Sequence, residues 1–265
     1  MSVLKRIIKA KKAEVKQKKE KMPVSEFLKE IAKYPANRNF KDVLENNDFT
    51  IIGEKKKKAP STGVIKAAIN VKEIAQQYER SGVGAISVVT DKKFFDGRLE
   101  YIKEVKKYCS LPVLRKDFII DEYQIYESRW ARADAILLIA SLLEKRVLTN
   151  FVKKARFLNM TPVVETHTRE EIKKAVASGA DVIGINARDL KTFKVNLSRV
   201  ASLANSVPRD KIVICESGIN RPEDLNEAGE GGRLKAALIG TALMKMKPKD
   251  MQQFVSDIIR GQSGR

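Results

Sequence analysis

Eight short apolar runs, most of them rich in β-branched residues, recur along this chain. They occupy 49–53 (FTIIG), 85–89 (AISVV), 112–114 (PVL), 133–139 (ADAILLI), 162–164 (PVV), 181–185 (DVIGI), 211–215 (KIVIC) and 236–239 (AALI). Each is nearly continuous in apolarity and is bounded by Gly, Pro or charge. Continuity, as opposed to strict alternation, is what a strand needs when both its faces are buried, as in a parallel sheet. Amphipathic patterns fill the intervals at 71–81, 99–108, 120–130, 144–158, 168–178, 197–205 and 222–227. In the first of these, Val71, Ile74, Ala75 and Tyr78 return at helical spacing. Thr168 and Glu171 have the spacing of a capping box, and Gly179 stands where a helix ends on glycine. Asn220, two residues before Pro222, reads as a cap ahead of a first-turn proline.

Strict alternation of strand and helix requires a parallel sheet with right-handed crossovers. Eight units predict closure into an α/β (βα)8 TIM barrel, an architecture that commonly fills about 250 residues. The competing open sheet would need a phosphate-binding turn after its first strand. No G-x-G-x-x-G or Walker A sequence occurs, and the glycine-rich 229–232 (GEGG) precedes the last run instead of following one. Residues 1–265 are therefore expected to form a single barrel domain, with 1–48 as an N-terminal helical extension. Leu4, Ile7, Ile8 and Val15 predict one helix there, and 24–34 (VSEFLKEIAKY) a second.

The charge is lopsided: 52 Lys and Arg against 33 Asp and Glu leave a formal +19. A solvated surface, a field for small anions and a nucleic-acid footprint would each produce that excess. The chain lacks zinc-finger spacing, an RNP-type aromatic motif and a long basic tail, and aromatics make up only 6%. Nucleic acid is accordingly not an expected partner. No apolar run approaches the roughly 18–20 residues of a membrane span, so no membrane association is expected. The first 22 residues are charged throughout, with no apolar signal core. Cys109 and Cys215 fit no disulfide framework. These features predict a cytoplasmic protein.

Barrel chemistry comes from the carboxyl ends of the strands. The first strand ends in Gly53, Glu54 and four lysines, Lys55–Lys58, and the second leads to Asp91, Phe94 and Phe95. The third ends in Arg115, Lys116, Asp117 and Phe118, and the fifth in Glu165 with His167 beyond. The sixth ends in Asn186, Ala187, Arg188 and Asp189, the seventh in Glu216, Ser217 and Gly218, and the eighth in Gly240 and Thr241. Opposite charges converging in a partly dry mouth shift one another's pKa values, which is how acid and base catalysts are made. Glycine turns after the last two strands are where barrels hold a phosphate on backbone N–H groups. Lys55, Lys57 and Lys58 read as exposed charges, Asp91 and Asp189 as caps, Trp130 as packing, and His167 as structural or peripheral. Lys116 and Glu165, beside buried runs, resist a surface explanation. One His and two distant Cys cannot supply a zinc site.

The segments IIGEKKKKAPS, ISVVTDKKFF, PVLRKDFIIDEYQI, DAILLIA, VVETHT, VIGINARDLKTF, ICESGI and LIGTALMK, in that order from about Phe40 to about Lys247, together resemble the indole-3-glycerol phosphate synthase family. The resemblance implies ring closure, decarboxylation and dehydration of 1-(2-carboxyphenylamino)-1-deoxyribulose 5-phosphate, with no cofactor and no metal. It implies Lys116 as general acid, Glu165 as a second acid/base group, and Glu54 and Lys56 as partners, leaving open whether Lys56 or Glu165 drives dehydration. Asn186 and Arg188 would orient the substrate. Ser217, Gly218, Gly240 and Thr241 would hold its phosphate. Pro60, Phe95, Phe118, Leu137 and Leu190 would enclose its ring, with Ser61 beside them. Ala59 stands where the family usually carries a serine, which removes a hydroxyl near the substrate carboxylate. A different sugar-phosphate barrel, such as a phosphoribosyl isomerase, would share the phosphate turns but would not require Lys116, Glu54 and Glu165 together. The partner expected is a small phosphorylated substrate, and the oligomeric state expected is a monomer, with a dimer as the alternative.

Overall fold

A computed structural model describes residues 3–59, 63–64, 70–189, 192 and 194–262. Eight parallel strands close on themselves. They are β1 (Thr50–Lys55), β2 (Ala85–Val89), β3 (Val113–Lys116), β4 (Ala135–Ile139), β5 (Thr161–Thr166), β6 (Val182–Asn186), β7 (Ile212–Glu216) and β8 (Ala236–Ile239). Each pairs with its neighbours in chain order, and β8 closes on β1 with Ala236 opposite Thr50. The chain is thus a (βα)8 TIM barrel with an N-terminal helical extension. The extension contains α1 (Val3–Lys21), α2 (Val24–Ile31) and α3 (Phe40–Asn46). The outer helices are α4 (Val71–Arg80), α5 (Lys92–Phe95), α6 (Glu100–Tyr108), α7 (Tyr123–Trp130), α8 (Lys145–Phe157), α9 (Arg169–Ala177), α10 (Ser198–Ala204), α11 (Asp224–Ala228), α12 (Thr241–Lys245) and α13 (Pro248–Gln262). No helix among the described residues is long and apolar enough to cross a membrane.

The strands are buried on both faces because alternate residues enter two different cores. Outward residues such as Ile51, Ile86 and Val113 join Ile74, Tyr78, Ile102 and Val105 from the helices. Inward residues fill the barrel in layers drawn from alternate strands. Ile52, Leu114, Val163 and Ile214, from β1, β3, β5 and β7, form one apolar layer. At the amino-terminal end, α3 packs beneath the barrel. Its Phe40 and Leu44, both fully buried, join Ala85, Ala135, Val182 and Ala236. Burying such side chains contributes about 1.5–3 kcal/mol each. Asn39 caps α3 by accepting from the Asp42 N–H at 3.2 Å. This plug is a third helix within the extension, where the sequence suggests only two.

The first helix has another task. α1 and α2 pack on α7 through Val15, Phe27 and Tyr123, with the Phe27 ring 5.2 Å from that of Tyr123 and 5.5 Å from that of Trp130. Lys18 meets Glu127 at 2.8 Å and Lys19 meets Asp121 at 2.8 Å, so part of the Lys-rich stretch anchors the helix. Lys11, only 1% exposed, reaches both Asp91 and Asp117 at 3.0 Å. Arg115 holds the same Asp117 at 3.0 Å and Glu127 at 2.8 Å. One buried ionic cluster therefore ties α1 to the loops after β2 and β3.

Capping follows the sequence at several points. Thr168 accepts from the Glu171 N–H, Asp91 accepts from the Phe94 N–H, and Gly179 sits at φ +87°. Asn220 does not cap α11, which begins at Asp224; instead Asp224 accepts from the Asn220 and Arg221 N–H groups. Lys55 is not an exposed charge. It faces outward from β1 but lies under the helix layer, 1% exposed, with its ammonium 3.0 Å from the Tyr101 ring centre. Burial pushes its pKa down to about 7 against the pull of Glu104 and Asp96.

Candidate active site

The barrel layer above the apolar one is entirely charged. The same four strands, two residues further on, contribute Glu54, Lys116, Glu165 and Glu216. A parity rule places them: Ile52 and Glu54, Leu114 and Lys116, Val163 and Glu165, and Ile214 and Glu216 each share one side of a strand. Strand pairing runs past the end of each apolar run, because the ladder needs only backbone groups, and carries these polar residues inside the barrel.

Lys116 donates to Glu216 Oε2 at 2.6 Å and stands 3.6 Å from Glu165 Oε2. Burial works against its charge, but Glu216, Glu165 and Glu54 outweigh it and hold the ammonium above the ordinary lysine range. Burial pushes the Glu216 carboxyl up to about 7, against Lys116 and reinforced by Glu165. Glu54 pairs with Lys56. Burial disfavours its ionisation as well, yet Lys56 and Lys116 overcome that and hold it below the usual carboxylate range. Asn186 donates to Glu165 Oε1 at 3.1 Å and accepts from the Arg188 N–H at 2.9 Å, so the sixth strand orients the fifth strand's carboxylate. Two glycines make room for the charges. A side chain at Gly184 would collide with the Glu216 carboxylate, and one at Gly240 with that of Glu54.

Apart from Glu216 and Gly184, which lie behind them, these groups line one cavity of about 270 Å³. Its lining includes Glu54, Lys56, Lys116, Glu165, Asn186 and Arg188 from the strand ends, and Ser217, Gly218, Gly240 and Thr241 from the last two turns. Phe95, Phe118 and Leu137 add an apolar wall, with the two phenyl rings 6.1 Å apart. Every predicted site residue that the structure describes lines this space; Pro60, Ser61 and Leu190 lie outside the described residues. Ser217 and Gly218 take φ of +68° and +93°. A serine held in the left-handed region is uncommon and marks a turn with a specific task. Consecutive backbone N–H groups in such a turn can make an anion-binding concavity. Among the described residues no three His, Cys, Asp or Glu side chains are grouped to hold a metal ion.

Sequence reasoning left Glu216 unassigned and did not foresee that α1 reaches the mouth. Parity along Ile212, Ile214 and Glu216 could have found the first. Val3, Leu4 and Ile7 of α1 line the cavity, a contact no local pattern encodes.

The fold is shared widely. A thiamine phosphate pyrophosphorylase from Pyrococcus furiosus superimposes with a TM-score of 0.59, at 14% identity over 83% of this chain and 100% of that one. Sequence relatives are far nearer. The indole-3-glycerol phosphate synthase of Caldanaerobacter subterraneus subsp. tengcongensis is 46% identical over 98% of this chain and 100% of its own length. That of Thermoanaerobacter pseudethanolicus is 44% identical over 99% of each. A family model described as indole-3-glycerol phosphate synthase matches residues 4–258. The chain belongs to the indole-3-glycerol phosphate synthase family, decarboxylating carbon–carbon lyases of tryptophan biosynthesis.

Proposed function

We propose that this protein converts 1-(2-carboxyphenylamino)-1-deoxyribulose 5-phosphate to indole-3-glycerol phosphate, with Lys116 as general acid and Glu165 as the second acid/base group. The observation that carries this reading is the Lys116 ammonium, set among Glu54, Glu165 and Glu216 at the floor of the cavity and across the barrel from the Ser217–Gly218 turn. Ring closure needs two carbons of one flexible chain to meet. Anchoring the phosphate at Ser217, Gly218, Gly240 and Thr241 and the anthranilate end at Asn186 and Arg188 supplies that orientation before reaction. Lys116 then protonates the carbonyl oxygen as the aromatic carbon attacks. Its carboxylate neighbours keep it charged at neutral pH, so it also stabilises the oxyanion as it develops. Loss of CO2 restores aromaticity, and the apolar wall of Phe95, Phe118 and Leu137 holds the ring out of water as the carboxylate departs. Glu165 serves the departure of the hydroxyl as water. Glu54 keeps Lys56 at the rim, between the phosphate and the chemistry.

The test is purified protein incubated with this substrate, with indole fluorescence followed over time. The expected result is steady product formation. Absence of product, with turnover of a phosphoribosyl isomerase substrate instead, would sink the reading.

A further inference from the structure

His167 borders the cavity only through Glu165. It directly follows β5, two residues past Glu165, and retains only 9% exposure. Its Nε2 lies 3.6 Å from Glu165 Oε1 and its Nδ1 lies 3.6 Å from Glu171 Oε2. Neither ring nitrogen has a hydrogen-bond partner among the described residues. Both carboxylates are fixed independently of the ring. Asn186 holds Glu165 Oε1 at 3.1 Å, and the His167 main-chain N–H holds Glu171 Oε2 at 2.7 Å. The Thr168 cap fixes Glu171 at the start of α9, and its side chain keeps 19% exposure. A buried imidazole used only for packing normally satisfies at least one nitrogen, because leaving both unmade costs about 1–3 kcal/mol each. Here each nitrogen faces a carboxylate across a gap that a shift of about half an ångström turns into a hydrogen bond.

The proposed reaction consumes a proton. The substrate carboxylate leaves as neutral CO2 and a hydroxyl leaves as water, so one proton must enter a site that α1 partly covers. The geometry points to His167 as a relay that positions and recharges Glu165: the imidazolium passes its Nε2 proton to the Glu165 carboxylate, the Glu171 carboxylate holds the ring through Nδ1–H, and water returns one proton to Nε2. One proton enters and one is delivered, so charge balances at each step. This inference rests on the reading of Glu165 as an acid/base group. The charges around the ring are Glu165 from β5, Glu171 from α9 and Glu216 from β7, with Lys116 beyond Glu165 and Lys174 beyond Glu171. Burial opposes a charged ring, but Glu171, Glu165 and Glu216 outweigh it and raise its pKa above the ordinary histidine value.

His167 is the one histidine in the chain, so a single imidazole resonance reports its titration by proton NMR. The expected midpoint lies above that of a free histidine side chain and falls in both Glu171→Gln and Glu165→Gln. In turnover, His167→Gln should lower kcat about tenfold with KM within about a factor of two, less than the roughly 10²-fold of a group that exchanges a proton with the substrate itself, because the ring acts through Glu165. Millimolar imidazole should restore part of that loss, and the variant should lose the alkaline inflection that follows the His167 midpoint. A wild-type rate for His167→Gln, a loss that imidazole does not restore, or a midpoint that neither carboxylate variant moves would each overturn the relay. If the unaltered protein makes no indole product, the functional reading fails while the NMR titration still judges the relay.

Discussion

Lys116 shares its barrel layer with three carboxylates and no second ammonium, and its shortest contact, 2.6 Å, is to Glu216. That bond joins a half-buried ammonium to a fully buried carboxyl group, the kind of hydrogen bond whose loss costs most. Glu216→Gln keeps the shape of the side chain, for which Gly184 leaves room, and removes its charge. The substitution should move the Lys116 pKa downward, because one of the carboxylates that hold it up is gone. The outer alkaline limb of the kcat profile, above the inflection that follows His167, should therefore shift toward neutral pH, and kcat at the optimum should fall about tenfold, the size of one charge-assisted hydrogen bond. A pH–rate series on both proteins checks this, and an unmoved alkaline limb would separate Glu216 from Lys116. Much of this layer is legible in the sequence, because a charged residue at the end of an apolar run has few surface explanations. The direction of the Lys116 shift is not legible there. It depends on whether carboxylates or lysines stand nearer, and Lys56 turns out to be engaged by Glu54.

At the scale of elements, α1 joins the extension to the site. Its Lys11 touches Asp91 and Asp117, and Asp117 directly follows Lys116 in the chain. Removing one partner of a buried ion pair leaves the other charge stranded, which costs about 3–5 kcal/mol. Lys11→Met should therefore destabilise the protein by about 3 kcal/mol, since Arg115 still serves Asp117, and lower its Tm by roughly 6–12 °C. Because Val3, Leu4 and Ile7 line the cavity, KM should rise more than kcat falls. The pH sign follows from Asp117. Burial disfavours its charge, but Arg115 and Lys11 outweigh that and hold its pKa well below the usual aspartate range. Its contribution is complete above about pH 4, the ordinary aspartate value, and fades as acid titrates the folded form. The gap in Tm between the two proteins should accordingly hold from pH 5 to 8 and narrow on further acidification; a gap that widens in acid would contradict the cluster. Of these elements, the helix 3–21 is readable from its apolar spacing, but its docking is not. Lys11 looks like any lysine of a charged helix until the fold brings Asp91 and Asp117 to it. The α3 plug escapes for a similar reason, since a seven-residue helix offers too few turns to show a period.

Across the whole molecule, eight strands and their loops gather residues from Glu54 to Thr241 round one cavity. The barrel itself is legible because eight buried runs separated by amphipathic intervals admit few other closures. The function is legible for a different reason: polar residues stand at the strand ends in an order that resembles one family. What escapes is whatever depends on approach between distant segments, such as the Lys55 ammonium beneath the helix layer or the clearance at Gly184. The formal +19 gives the molecule a field that draws phosphorylated anions to any mouth, but it does not select among them. In the reading proposed above, selection rests on Lys116 and the carboxylates around it. The most direct test is the rate of indole product formation by Lys116→Met under substrate saturation, beside the unaltered protein and with folding verified by circular dichroism. The kcat of Lys116→Met should be at least about 10²-fold lower, as expected for a lost general acid, with KM changed by less than about fivefold. A folded Lys116→Met protein that turns over at a near-unaltered rate would contradict that role.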